Sequence, residues 1–155
     1  MKWLLAAILV LAAGIAYIRL APSDPDTWHL DLAAPGFAPP PGTAAFCSGF
    51  GTRYSFAGPA DLTSFADTAD RWPRTKRLAG NVAEGRITWV TRSVIFGFPD
   101  YTTAALVTSE QGTQICVVAR QRFGLADFGV NGRRLGQMLM AAYGYLEPPP
   151  LAWRT

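Results

Sequence analysis

Charged side chains, histidine and cysteine are all scarce in this chain. Of 155 residues, 50% are apolar and 16% are charged, and the sequence holds one histidine and two cysteines. This composition excludes a disordered protein and allows one ordinary domain together with a membrane segment. The sequence also lacks a glycine-rich phosphate-binding loop. We therefore expect neither a cofactor nor a metal site.

The net charge is small as well. Lys and Arg number 14 against 11 Asp and Glu. Lys2 and Arg19 flank the apolar N-terminus, so the rest of the chain is nearly neutral. Nucleic-acid binding requires a clustered excess of basic charge. We expect no nucleic-acid partner.

The chain opens with an uninterrupted apolar run. Residues 3–18 carry no charge, and a helix over residues 1–21 would span a bilayer if the Arg19 side chain reaches the headgroups. A cleaved signal peptide, with a peptidase site after Ala16, is the alternative. We favour an uncleaved anchor because the run is longer than the usual core of a signal peptide. Lys2 then marks the cytoplasmic side, which predicts a single-pass inner (cytoplasmic) membrane protein whose domain lies in the periplasm.

Proline dominates the next segment. Residues 22–42 contain six of the twelve prolines, so 22–45 is predicted to form an extended spacer, partly in polyproline II conformation. The single histidine, His29, lies in this spacer and is interpreted as a packing or capping group. A folded domain over residues 46–147 and an extended tail over 148–155 complete the predicted organisation.

Periodicity predicts that this domain belongs to the α+β class. Apolar residues recur at helical spacing from Leu62 to Trp72 and again from about Asn131 to Tyr143. Between these helices, β-branched and aromatic residues predominate from Leu78 to Phe123. We expect a four-stranded antiparallel meander with two helices on one face, preceded by a transmembrane helix. A fifth short strand is an option near Phe50 to Phe56.

Turn signals set the bounds of the predicted strands. The apolar residues of these strands indicate that both faces of the sheet are buried. After a first strand that begins near residue 78, the strands cover 86–96, 101–109 and 113–122. In the last strand Ile115 and Val117 point to one face, while Cys116 and Val118 point to the other. The helices can cover only one face. The second face must be covered by the proline segment, a ligand or another protein.

The two cysteines, Cys47 and Cys116, are expected to lie in an oxidising compartment. A disulfide between them is one interpretation. The alternative is an unpaired, buried Cys116, which its apolar neighbours in the sequence favour.

Polar residues near the predicted strand ends form the candidate site. Arg120 and Arg122 are two residues apart on one strand, so their side chains leave the same face. The full set is Arg92, Asp100, Arg120, Arg122, Asp127, Asn131 and Arg134. We favour a structural network of salt bridges and helix capping. The alternative is an anion pocket, in which the arginines and helix N-terminal amides receive a carboxylate or phosphate.

Catalysis is not favoured by these residues. His29 is isolated and no serine lies in a nucleophile-elbow context, so a catalytic triad is not expected. Asp100 and Asp127 could approach each other as a carboxylate pair. The surrounding arginines should lower the pKa of Asp100, however, which is wrong for a general acid. We predict no catalytic residue.

The same polar residues carry a family resemblance. The strings are Thr91-Arg92-Ser93, Gly97-Phe98-Pro99-Asp100-Tyr101 and Arg120-Gln121-Arg122-Phe123-Gly124, followed by Asp127, Gly129-Val130-Asn131 and Arg134. Over residues 70–140 this pattern resembles the bacterial and plastid family known as domain of unknown function 1499. Ala119 stands where many members have a serine. The resemblance implies a small exported or membrane-associated domain, associated in plastid relatives with thylakoid protein complexes, and it implies no catalytic residue.

These features together predict a membrane-anchored, non-catalytic domain that binds or stabilises an envelope or membrane-complex partner. The alternative is a module that binds a small ligand, either a lipid or an anionic metabolite, through Arg92, Arg120 and Arg122. The basic run from Arg71 to Arg77 is interpreted as a solvated turn, with attraction to anionic headgroups as its alternative.

Overall fold

The structure, a computed structural model, describes residues 2–46, 61–110, 112–124 and 127–144. The helices in these ranges are α1 (Lys2–Leu20), α2 (Pro25–Trp28), α3 (Leu62–Asp70) and α4 (Val130–Tyr143). The strands are β1 (Ala44–Phe46), β2 (Thr75–Asn81), β3 (Arg86–Arg92), β4 (Pro99–Ser109) and β5 (Gly112–Gln121). They form one antiparallel sheet in the order β1-β5-β4-β3-β2. The predicted α+β class and meander are confirmed, whereas the segment from Phe50 to Phe56 lies outside the described residues.

The third strand, β3, ends four residues earlier than predicted. The Ser93 amide donates to the Phe98 carbonyl at 3.0 Å, and the Phe98 amide donates to Ser93 Oγ at 2.9 Å. These bonds close a loop in which Gly97 has a φ of 72°. Residues 94–96 have the β-branched and aromatic character of a strand but lie exposed in this loop. Residue type alone does not distinguish an apolar loop from the end of a strand.

Helices α3 and α4 pack on one face of the sheet. The Trp89 indole is fully buried there, with its ring 5.8 Å from that of Phe65 and Nε1 donating to Asp70 Oδ1 at 2.7 Å. Asp61 begins α3, because its carboxylate accepts from the Thr63 amide at 2.9 Å. Both helices therefore form where apolar periodicity predicted them.

The opposite face of the sheet is covered by the chain itself. Leu32 is fully buried against Cys116 and Val118, with Leu30 and Phe37 packed around it. Of the three covers considered for this face, the proline-rich segment is the one observed. The predicted spacer therefore does not extend away from the domain. Burying its apolar side chains against the sheet stabilises the packed arrangement.

The single histidine attaches this segment to the sheet. His29 Nδ1 lies 2.8 Å from Thr88 Oγ1, and Arg86 Nε donates to His29 Nε2 at 3.0 Å. Because Nε2 accepts, Nδ1 carries the proton in this arrangement. Burial lowers the pKa of His29 from its ordinary value of 6.5, and Arg86 lowers it further, while Glu84 and Asp31 partly oppose the shift. The contacts agree with the predicted packing role.

Cys116 is fully buried on β5 and is disulfide-bonded, which contradicts its interpretation as an unpaired thiol. Cys47 lies outside the described residues. Its neighbour in the sequence, Phe46, pairs with Val117, the residue after Cys116. The register of β1 and β5 is therefore compatible with the predicted bridge.

Acidification should weaken the attachment of the proline-rich segment. Because the pKa of His29 is lower in the folded protein than in the unfolded chain, the unfolded chain binds the proton first as the pH falls below 6.5. The stability that neutral His29 contributes is fully present above that pH. It is lost progressively between 6.5 and the lower pKa of the folded state.

Urea unfolding of the full chain in detergent, from about pH 7.5 to about pH 5, measures this effect. His29→Gln removes the titration while keeping a polar side chain, so we expect it to flatten the pH dependence in that range. Parallel pH profiles for the two proteins would contradict the assignment.

Candidate functional site

The predicted site residues do not form one cluster, because they separate onto the two faces of the sheet. Arg120 and Arg122 extend from the face that residues 22–37 cover. Asp100 pairs across the strands with Gln121 rather than with Arg120, so its side chain leaves the other face. There it meets α4, which carries Arg134.

The two paired arginines hold the segment that follows α1. Arg120 Nη2 donates to the Thr27 carbonyl at 2.7 Å, and its Cζ lies 4.4 Å from the centre of the Trp28 ring. Arg122 Nη1 donates to the Pro22 carbonyl at 2.5 Å. A cation over an indole ring contributes about 0.5–2 kcal/mol, depending on its exposure. Both guanidinium groups are thus engaged in holding the proline-rich segment on the sheet.

Asp127 caps the N-terminus of α4. Its carboxylate accepts from the Gly129 amide at 2.8 Å and from the Asn131 amide at 2.9 Å. Gly129 is the N-cap residue with a φ of 74°, a conformation that glycine adopts without strain. These two amides are therefore already bound to a carboxylate, although an external anion would need them. The helix N-terminus thus does not contribute to the anion pocket that the sequence offered as an alternative.

A buried ion pair joins β4 to α4. Arg134 Nη1 lies 3.1 Å from Asp100 Oδ2, with the two side chains only 10% and 14% exposed. Arg134 Nη2 also donates to Asn131 Oδ1. Burial raises the pKa of Asp100, Arg134 opposes this shift, and the Asp127 carboxylate adds to it. The expected lowering was wrong, because desolvation of this carboxyl outweighs the attraction of its single ion-pair partner.

An open pocket of about 490 Å³ lies beside this ion pair. It is bounded by the turn between α3 and β2, the end of β3 and the first two turns of α4. Its charged lining residues are Arg74, Arg92, Asp100, Arg133 and Arg134. Four arginines and one carboxyl line the pocket, so it has an excess of positive charge and is suited to an anion. We refer to it below as the arginine pocket.

Three of these arginines are oriented by bonds to the backbone. Arg74 Nε donates to the Arg92 carbonyl at 3.1 Å. Arg92 Nη1 donates to the Gly97 carbonyl at 3.0 Å, and Arg133 Nη1 donates to the Phe128 carbonyl at 3.2 Å. Each described bond uses one of the five N–H donors of a guanidinium group. The groups are therefore held in place with further donors available to a ligand.

Sequence reasoning placed Arg92 and Arg134 in the candidate site but missed Arg74 and Arg133. Two signals pointed to them, the basic run from Arg71 to Arg77 and the position of Arg133 directly before Arg134. The pairing of β2 with β3, and the packing of α4 over the same end of the sheet, bring them together. The predicted meander already pairs these strands, but the register of β2 on β3 and the position of α4 on the sheet cannot be derived from residue type or spacing.

The described residues contain no group of three or more His, Cys, Asp or Glu side chains placed to hold a metal ion. Asp127 is bound to backbone amides and Asp100 is bound to Arg134. Both carboxyls are therefore held by structural contacts. The geometry supports binding of an anion more than acid–base chemistry.

Removing Arg134 should be costly, and the cost should depend on pH. Arg134→Met leaves Asp100 buried without its cation, which costs about 3–5 kcal/mol. Because the pKa of Asp100 is raised, the folded state binds its proton more readily than the unfolded state does. The penalty should therefore shrink as the pH falls through the pKa of the folded state.

Urea unfolding of full-length wild type, Arg134→Met and the double variant Asp100→Leu/Arg134→Met at neutral and acidic pH provides the measurement. The double variant should recover stability relative to Arg134→Met at neutral pH, since no buried charge is left unpaired. A penalty for Arg134→Met that is the same at both pH values would contradict the assignment.

Comparison with known proteins gives a family. A family model described as "Protein of unknown function (DUF1499)" matches residues 53–141. This range is more than half of the chain, includes α3 and β2 to β5, and contains every charged residue of the arginine pocket. No curated protein and no solved structure matches the chain. The chain therefore belongs to the DUF1499 family, as its arginine and aspartate strings indicated.

Proposed function

We propose that this protein is a membrane-anchored, non-catalytic domain that binds a small anionic ligand in its arginine pocket. The observation that carries the proposal is the collection of four arginines around one open cavity. Arg134 adds a second indication, because its side chain is 90% buried and its Nε has no hydrogen-bond partner among the described residues. Planar guanidinium groups suit a phosphate or a carboxylate, which they bind through paired N–H donors.

Binding of a protein partner on the second face of the sheet, the function that the sequence favoured first, has less support. That face was a candidate binding surface because both sides of β5 are apolar. Leu32 and the residues around it now account for this surface. A protein partner would have to bind another part of the domain, so we place the ligand-binding function first.

The N-terminal helix supports the anchored arrangement. It is the one described helix long and apolar enough to cross a membrane, and 19 residues span about 28 Å against about 30 Å of hydrocarbon. Arg19 Nη2 donates to the Ile95 carbonyl at 2.9 Å, and the Tyr17 ring lies 6.2 Å from that of Phe123. These contacts attach the last turn of α1 to the folded domain. With Lys2 on the cytoplasmic side, the domain would face the periplasm from the inner membrane.

Two exposed arginines allow a test of the ligand proposal that spares the buried ion pair. Arg74→Ala combined with Arg133→Ala removes two pocket cations, and hydrogen bonds to charged groups contribute about 1.5–3 kcal/mol each. We expect native mass spectrometry of the full chain, released from mild detergent, to show a bound anion in wild type. Its occupancy should fall at least about tenfold in the double variant.

Arg71→Ala is the control, because it removes one arginine charge close to the pocket from a residue that does not line it. It should retain the ligand, and thermal unfolding should show that all variants are folded. Equal occupancy in wild type, control and double variant would contradict the proposal. So would a wild-type protein that carries no anion and binds neither inorganic phosphate nor a dicarboxylate in titration.

A further inference from the structure

The loop between β3 and β4 exposes three consecutive apolar side chains. Val94, Ile95 and Phe96 are 70%, 72% and 43% exposed. The hydrogen bonds between Ser93 and Phe98 hold the loop in a defined shape, so this exposure belongs to the folded state. Contiguous exposed apolar side chains of this kind are a feature of protein and membrane interaction sites.

This loop lies directly against the C-terminal end of α1. The Ile95 carbonyl accepts from Arg19 Nη2 at 2.9 Å. Gly97 approaches the same side chain so closely that a Cβ built on it would lie 3.0 Å from Arg19 Cγ. A row of aromatic rings continues the contact, since Phe98 lies 5.7 Å from Phe96 and 6.2 Å from Phe123.

Contact with α1 fixes the depth of the loop relative to a membrane. If α1 spans the bilayer, Arg19 reaches the headgroups and Tyr17 lies in the interfacial belt that aromatic residues prefer. Side chains that touch this last turn must lie at the same depth. Phe123, whose ring contacts Tyr17, and the loop that contacts Arg19 are therefore placed at the membrane surface.

We propose that Val94, Ile95 and Phe96 insert into the lipid interface of the bilayer that α1 crosses, on the side of the folded domain. The occupant of this apolar surface is thus the lipid itself. The arginine pocket opens at the same end of the sheet, and Val94 lines it, so its cations are positioned to face anionic headgroups. The proposal rests on the anchored placement of α1 and is independent of the ligand in the pocket.

A photoreactive probe tests this arrangement in the full chain. A benzophenone amino acid replaces Ile95 in protein reconstituted into nanodiscs of phosphatidylethanolamine and phosphatidylglycerol, and mass spectrometry identifies the adducts formed on irradiation. The matched control carries the same probe at Val82, an exposed apolar residue in the β2–β3 turn at the opposite end of the sheet. We expect at least about tenfold more lipid adduct from position 95, because only that site contacts the bilayer.

A third probe at Leu11, exposed in the middle of α1, distinguishes the ways in which the proposal can fail. Lipid adducts at Leu11 together with none at position 95 would overturn the loop insertion and leave the anchor in place. An absence of lipid adducts at both positions would overturn the anchored placement as well. Equal adduct yields at positions 95 and 82 would show that position 95 has no preferential contact with lipid and would also overturn the proposal.

Discussion

The position of the whole domain depends on how the segment after α1 is attached to the sheet. Arg122 binds the Pro22 carbonyl at one end of this short segment, and Arg120 packs against Trp28 at the other. The Trp28 ring also stacks on Tyr101, with 3.8 Å between ring centres. The domain cannot move away from α1 without breaking these contacts. A proline-rich stretch that resembles a flexible tether is thus a rigid connection.

This connection brings two different surfaces to one end of the sheet. The end of β3 forms a wall of the arginine pocket, and the loop that follows it carries the exposed apolar residues. Val94 contributes to both, since it lines the pocket and is exposed in the loop. Under the proposed placement, an anionic ligand in the pocket would lie close to the lipid headgroups. Four arginines of the domain line this pocket, so in the proposed placement their charge would face the headgroups.

Local sequence signals predicted the regular elements well. The four-stranded meander follows from β-branched and aromatic residues separated by turns, and α4 follows from apolar spacing that ends at Gly144. Helix capping was predicted for the polar set that includes Asp127 and Asn131, because capping depends on residues that are close in the sequence. These features can be predicted without knowing how the helices and strands pack.

Features that depend on packing were predicted poorly. Arg120 and Asp100 were placed in one cluster, yet strand register puts them on opposite faces. The pKa of Asp100 was expected to fall because arginines are near, and burial reverses that direction. Residue type reports charge and propensity, but not desolvation or the register between paired strands. The arginine pocket therefore became visible only in the folded chain.

The rigid connection between anchor and domain can be measured by pulsed electron paramagnetic resonance. Spin labels on noncanonical amino acids at Leu20, the last residue of α1, and at Val82, in the far turn of the sheet, report one distance in nanodiscs. The contacts of Arg120 and Arg122 predict a single narrow distance distribution that broadens when both arginines are replaced by alanine. A broad distribution in the wild-type protein would contradict the account, because it would mean that the proline-rich segment lets the domain move freely relative to α1.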